Sequence, residues 1–471
     1  MADRDIHRDP VALQVLMFFP RGGSAQVVRY LARAIAEGPS RWRPRIVSGS
    51  VGPVGGPGHA VSFFAGLHVV PVSYDAALAA SDPMAASPPM HPSYEDRPGA
   101  PDRVMAGLDD ATFEHLVQEW VLVLSAPGVL DDVAVAHLHH LTPVHEALAR
   151  LRPDIPVVTH LHGTELLMLD QLAAGASLAH SGAWVERMRR WARGSARVIV
   201  SSEPSRRDAV ALLGLAPDRV EVVPNGIDPR MFDGRRSAPA RRAALWTRSL
   251  VDEPRGWSPR DPEPGSVRYS AEQIAPLLDP AATVVLFVGR FTAVKRASLL
   301  VRAHALARGR LSDPLPLVLW GGSPGEWEGE HPADAAARSE WGHEVFVAGW
   351  HDHDQLPGAL AASDVMAVPS IAERFGLAYV EAMAMGVPPI ACDAGAPPTF
   401  IDGEASSPSR SGWLVRPDDE ASLADALVVA AGDRAERERR GATGRAHVIG
   451  RYAWPGIARR VEEIYTVAAR G

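Results

Sequence analysis

The chain has 471 residues, with 48 Lys+Arg against 56 Asp+Glu and a formal net charge of −8 at pH 7. A single core stops growing at about 250–300 residues, so two domains are expected, and a hydrophobic fraction of 46% excludes global disorder. The acidic balance argues against a nucleic-acid protein, and the one cysteine, Cys392, excludes an internal disulfide and any Cys-rich metal or iron–sulfur site.

The first apolar run, Val11 to Phe19, is broken by Gln14 and too short to cross a bilayer. It follows a mixed-charge start (Asp3, Arg4, Asp5, Arg8, Asp9) unlike a secretory leader, so a soluble cytoplasmic protein is expected. Candidate strands follow at Leu13–Phe19, Arg45–Ser48, Val133–His139, Val157–His162, Arg197–Ser201 and Val220–Pro224. A second set lies at Val284–Gly289, Leu317–Trp320, Val345–Ala348, Val365–Pro369, Pro389–Asp393 and Gly412–Val415. Most are apolar on both parities, as strands covered on both faces are. Helical patterns such as Ser24–Ala36, Ser298–Ala307, Val380–Met385 and Ala421–Ala431 alternate with them, which predicts α/β architecture with doubly wound parallel sheets. Between the sets, Asp228 to about Leu278 is rich in Arg and Pro with little periodicity, and reads as an interdomain connection with an insertion. Val72 to Asp110 is a second irregular block, suited to a lid or a substrate wall, or else a surface excursion.

Four stretches carry chemistry. Arg21-Gly22-Gly23-Ser24 joins the first strand to the first helix; its glycines would let an anion approach free helix N–H groups, with Ser24 as N-cap, although such turns are common in any βα unit. Gly289-Arg290 and Lys295 follow the first strand of the second half. Ligands bind beyond the carboxyl ends of such strands, and two cations there suit a diphosphate. Glu373-Arg374-Phe375-Gly376-Leu377 with Glu381 supplies two carboxylates as acceptors for sugar hydroxyls and, at Gly376, a backbone open to a ligand. His162, in His160-Leu161-His162-Gly163-Thr164-Glu165, would donate to a substrate hydroxyl or phosphate, against the blander reading of a structural histidine.

Four features get plainer readings. His137, His139, His140, His160 and His162 lie near two strand ends, and alternate strand residues share a face, so a His-only zinc site is conceivable. No carboxylate or Cys pattern accompanies them, and no metal site is assigned. Asp352-His353-Asp354 reads as helix capping, and Cys392 as a buried small apolar residue. The stretch Trp184 to Arg193 is basic and aromatic; it suits an anionic acceptor or a peripheral membrane contact, or more simply an amphipathic helix with a solvated Arg face.

Taken together, these residues resemble the retaining glycosyltransferases of family 4, with the GT-B fold, across nearly the whole chain. The resemblance rests on Val288-Gly289-Arg290 with Lys295, on Glu373-Arg374-Phe375-Gly376 with Val380-Glu381-Ala382-Met383-Ala384, and on Gly22-Gly23, His162-Gly163-Thr164-Glu165 and Pro224-Asn225-Gly226-Ile227-Asp228 in order. It implies two Rossmann-like domains facing a cleft. Residues 1–226 would form the acceptor domain, closed by a C-terminal helix at 452–471. Residues 227–280 would connect, and 281–451 would bind the nucleotide sugar. By the same resemblance, Arg290 and Lys295 hold the donor diphosphate, Glu381 the ribose, and Glu373 with the amides of Phe375, Gly376 and Leu377 the sugar. His162 contacts that sugar, Gly22, Gly23 and Gly289 allow close approach, and Trp350 lies at the nucleobase.

The implied reaction moves a hexosyl or other glycosyl group from a UDP- or GDP-sugar to a small-molecule acceptor, as in secondary metabolism, without metal or other cofactor. A lipid-linked cell-envelope acceptor, a GT-B nucleotide-sugar epimerase and a two-lobed sugar-binding protein are the alternatives. Three departures from the family pattern touch the donor sugar: Arg374 where a Gly is usual, Ala396 after Gly395, and Thr399 where a Glu is usual. The Ala-, Arg- and Gly-rich usage points to a GC-rich, actinobacterial genome.

Overall fold

Short Val-, Ile- and Leu-rich runs form the strands, and every ladder between them is parallel. The computed structural model describes residues 9–95, 100–401 and 410–470. The first sheet holds β1 (Val11–Leu16), β2 (Arg43–Ser50), β3 (His68–Ser73), β4 (Val133–His139), β5 (Val157–His160), β6 (Arg197–Val200) and β7 (Val220–Val222) in the order 3-2-1-4-5-6-7. The second holds β8 (Val285–Val288), β9 (Leu317–Trp320), β10 (Val345–Gly349), β11 (Val365–Val368), β12 (Pro389–Cys392) and β13 (Trp413–Val415) in the order 10-9-8-11-12-13.

Helices carry the crossovers and cover both faces, which is why β1, β9, β11 and β12 are buried along their whole length. In each sheet the strand order reverses beside the first strand, between β1 and β4 and between β8 and β11. Parallel α/β sheets collect ligands at that point, beyond the carboxyl ends of the strands.

Residues 1–226 with 454–471 form one compact unit, and 227–453 form the other. The last helix, Trp454–Ala468, lies after the second unit in sequence but packs in the first. Its Tyr465 ring is buried against Trp42, and Trp454 stacks on Tyr30. Gly226 passes so close to Trp454 that a Cβ there would meet the indole.

The stretch expected to be a connection is built into the second unit. Phe232, Trp246, Leu250, Trp257, Ile274 and Leu277 join that unit's core. A fully buried tryptophan of this kind contributes about 3–5 kcal/mol when compared with alanine, so 227–280 is scaffold rather than linker. The irregular block at 72–110 is likewise packed down: Met84, Met90, Tyr94 and Met105 lie in the first unit's core. Its neighbour β3 was not among the predicted strands.

Candidate active site

In the second unit the site grows from the loops after β8 and β11, which are adjacent in the sheet. The Ile371 amide donates to the Val294 carbonyl at 3.0 Å and ties the two loops together. A single 3₁₀ turn, Ala293–Lys295, then presents Lys295, and its Nζ lies 2.5 Å from Glu373 Oε2. Both side chains are mostly shielded, with 23% and 15% of their surface exposed, so the charges sit in a partly desolvated recess. Gly289 and Arg290 follow directly after β8, with Arg290 exposed.

Gly376 has φ +92 and a Cβ there would run into the Tyr379 ring. That conformation turns the chain into the helix Leu377–Ala384, whose first turn carries N–H groups without intrahelical partners. A helix N-terminus next to Lys295 is suited to an anion. The Phe375 side chain is core, packed with Phe400 and Tyr452, so only its backbone is available to a ligand. The Ala396 amide donates to the Glu373 carbonyl at 2.9 Å, which ties the divergent Gly395-Ala396 loop to Glu373.

One turn further on, Glu381 is buried, and His353 Nε2 donates to its Oε1 at 2.7 Å. Sequence reasoning assigned His353 to a capping string, but Asp352 makes no capping bond and the His353 ring instead orients Glu381. The two residues are 28 positions apart, and no local spacing links them.

At the end of β10, Trp350 is 38% exposed, while His351 stacks on Trp320 at 3.8 Å and 13°. Burial holds the His351 imidazole below its ordinary pKa. Gly349, with φ +76, passes directly against the Arg255 carbonyl, where any side chain would collide. Trp257 Nε1 donates to the Gly322 carbonyl at 2.9 Å. The 227–280 segment therefore frames the end of β10, a contribution its sequence did not signal beyond its buried tryptophans.

In the first unit, Gly22 and Gly23 open the helix Gly22–Glu37 and are exposed. The cap expectation fails: Arg21 is the N-cap without a side-chain bond, and Ser24 lies inside the first turn. Arg21 instead comes within 3.7 Å of buried Asp102. His162 follows β5, and its Nε2 lies 3.0 Å from His139 Nδ1. Burial, then the neighbouring histidines, hold His162 well below its ordinary pKa.

Glu165, named in the motif but given no role, organises this end. Its fully buried carboxylate accepts from the amides of His162 (3.0 Å) and Gly163 (3.1 Å) and lies 3.2 Å from His140 Nδ1. Burial pushes its pKa up, but His140 and those backbone donors outweigh burial and hold it below the usual range.

The basic helix Ser181–Gly194 presents no aromatic face. Trp184, Met188 and Trp191 are buried, Arg187 lies over the Phe113 ring, and Arg190 pairs with Glu146 at 2.8 Å. Cys392 is buried and its thiol is pushed up to about 11, as an inert core residue. Among the described residues, no helix is long and apolar enough to cross a membrane.

Two doubly wound sheets, with charged loops at the β8/β11 reversal, define a protein of the GT-B class. Residues 92–230 match the family model described as Glycosyltransferase Family 4, and residues 282–433 that of Glycosyl transferases group 1, together more than half of the chain. The chain belongs to this glycosyltransferase family and has the GT-B fold. A relative from Nocardia farcinica, D-inositol 3-phosphate glycosyltransferase, is 31% identical over 276 residues, 58% of this chain and 52% of the relative. The match thus spans about half of that relative's length. Alpha-maltose-1-phosphate synthase of Mycolicibacterium smegmatis is 29% identical over 359 residues, covering 71% of this chain and 79% of the relative. The solved structure of Anabaena HepE in complex with UDP-glucose shares the fold with TM-score 0.65, at 16% identity, over 97% of this chain and 99% of that one.

Proposed function

We propose that this chain transfers a sugar, with retention, from a UDP- or GDP-linked donor to a small polar acceptor. The observation that carries the reading is the Lys295–Glu373 pair set against the helix start at Gly376, at the β8/β11 reversal. Arg290, Lys295 and the helix amides stabilise the charge that builds on the departing diphosphate, which is the main catalytic effect of such a site. Glu381, oriented by His353, accepts from the ribose hydroxyls. Glu373 and the backbone from Phe375 to Leu377 hold the transferred sugar, and His162 in the first unit is assigned as a sugar contact. The acceptor attacks on the face the diphosphate vacates, and a phosphate oxygen takes its proton, so no protein general base is required. The names of the two relatives favour a phosphorylated small molecule as acceptor or product, and the UDP-glucose in HepE favours UDP over GDP.

A thermal-shift panel of UDP-, GDP- and ADP-sugars tests the donor site. One nucleotide class is expected to raise the melting temperature by mass action, and the rise should vanish in Arg290→Ala and Glu381→Ala. If none shifts the wild type, the donor assignment fails. A product assay with inositol phosphates and hexose phosphates then separates transfer from epimerisation of the donor.

Two cations and a helix N-terminus leave the diphosphate no need of a bridging divalent ion. Omitting magnesium and manganese from the assay is therefore expected to change the rate less than twofold. A loss of tenfold or more, restored by either ion, would overturn the metal-free diphosphate clamp.

A further inference from the structure

The first unit contains a group of side chains that the proposed transfer does not use. His137 and His139 alternate along β4 and so share one face of the sheet. His160 on β5 stands in register opposite His139. All three are buried, with exposures of 0%, 1% and 3%. One ring nitrogen from each lies within 4.8 Å of the others. The rings are stacked, His137 on His139 at 4.3 Å and on His160 at 5.4 Å.

Their hydrogen bonds are incomplete in a consistent way. His137 Nδ1 lies 2.6 Å from the Tyr465 hydroxyl and His139 Nδ1 lies 3.0 Å from His162 Nε2. The Nε2 atoms of both, and both nitrogens of His160, have no hydrogen-bond partner among the described residues. Buried polar atoms are nearly always satisfied in folded proteins, so four such atoms within one cluster need an explanation. Gln14 adds a fifth and sixth. It stands opposite His137 in the β1–β4 register, is fully buried, and neither atom of its amide has a partner.

We propose that His137, His139 and His160 bind a buried Zn²⁺ ion, with Gln14 or a water molecule completing its coordination. Imidazole nitrogens favour zinc and its neighbours among the first-row metals. Zinc–nitrogen bonds of about 2.0–2.1 Å put tetrahedral ligand atoms about 3.3 Å apart, a closure reachable by small ring rotations. The outer hydrogen bonds are already those of a metal-bound histidine, whose second nitrogen is held by a neighbouring group. Tyr465 holds Nδ1 of His137, and His162 holds Nδ1 of His139. Burial keeps all three imidazoles well below their ordinary pKa and so in the neutral, metal-binding form.

An ion on His139 Nε2 places that ring's proton on Nδ1, which then donates to His162 Nε2. The site therefore orients the histidine assigned to the sugar without touching substrate. It is distinct from any ion on the diphosphate, and its existence does not depend on the proposed donor or acceptor.

The test uses the untagged full-length chain. Plasma mass spectrometry of protein purified without chelator is expected to find about one zinc per chain. After chelator dialysis, Zn²⁺ at a hundredfold excess over its Kd is expected to raise the melting temperature by about 5–10 °C. Co²⁺ should give the visible bands of a tetrahedral nitrogen site. His160→Phe keeps the stacked ring and removes no protein hydrogen bond, so the metal-free variant should melt near the wild type but lose the stoichiometric zinc, the shift and the bands. His137→Phe should likewise lose the zinc, the shift and the bands, but it also removes the hydrogen bond to the buried Tyr465 hydroxyl and should melt lower without metal; it serves if the first variant does not fold. Absence of zinc and of any shift in the wild type, or binding that survives both substitutions, would overturn the site.

Discussion

Lys295→Ala is expected to slow sugar transfer by about 10²–10³-fold, the loss seen when one preorganised donor to a developing anion is removed. The reasoning starts from position. Lys295 is delivered by a 3₁₀ turn just past β8, where the sheet order reverses, and its amine is held against Glu373 in a partly shielded recess. Negative charge grows on the diphosphate as the glycosidic bond breaks, so the amine gains more in the transition state than in the ground state. The loss should therefore fall mainly on kcat, with KM for the nucleotide sugar rising only a few-fold. Stability should barely move, because a partly exposed ion pair is worth about 0–1 kcal/mol. Lys295→Arg should recover only part of the rate, since a planar fork does not reproduce a compact ammonium. Steady-state kinetics decide the matter. A loss under threefold with unchanged KM would make Lys295 a solvated surface cation and would remove the diphosphate clamp.

Much of this site lies in short stretches of sequence, because a GT-B half builds its loops directly from strand ends. Gly289-Arg290, Lys295 and Glu373 through Glu381 are local motifs, and the structure brings Lys295 to Glu373 as their shared strand-end position implies. What the sequence withheld is long-range: His353 reaches Glu381 across 28 residues. The grouping of His139 with His160 was legible from their strand-end positions, and the β4–β5 register supplies the pairing. Strand β3 escaped because Pro71 argues against a central strand, yet β3 is the sheet edge, where a missing N–H costs little. The segment 227–280 looked structureless because its Arg- and Pro-rich turns lack periodicity. Its buried tryptophans, Trp246 and Trp257, were the only sign that it belonged to a core.

The folded chain is also expected to lose stability steeply on mild acidification, in both units. Burial pushes His91 and His145 in the first unit, and His304 and His331 in the second, down to about 4. All four are at most 5% exposed. Their neighbours do not rescue a charged ring. His145 sits between the Thr142 carbonyl and the Thr159 hydroxyl, and at His304 the Leu315 carbonyl and Glu344 raise the pKa less than burial lowers it, with Arg308 opposing them. His91 has Asp102 no closer than 4.0 Å, and Asp334 raises the His331 pKa less than burial lowers it. An unfolded histidine takes up its proton near pH 6.5, whereas these take it up only near pH 4 in the folded state. Between those limits the unfolded chain binds more protons, so stability is full above pH 6.5 and falls as the pH drops toward 4. The two residues per unit contribute about 2–3 kcal/mol per pH unit, a large share of a domain's total stability, and in the metal-free first unit His137, His139, His160 and His162, also held down by burial, steepen the slope further. Melting curves of chelator-treated protein from pH 7.5 to 4.5 should show a fall that begins near pH 6.5 and steepens below 6. His145→Gln should reduce the first unit's slope by about one proton's worth, about 1.4 kcal/mol per pH unit. A melting temperature that stays level from pH 7 to 5 would mean that these rings take up protons in the folded state as readily as in the unfolded one, which their burial and hydrogen bonds oppose.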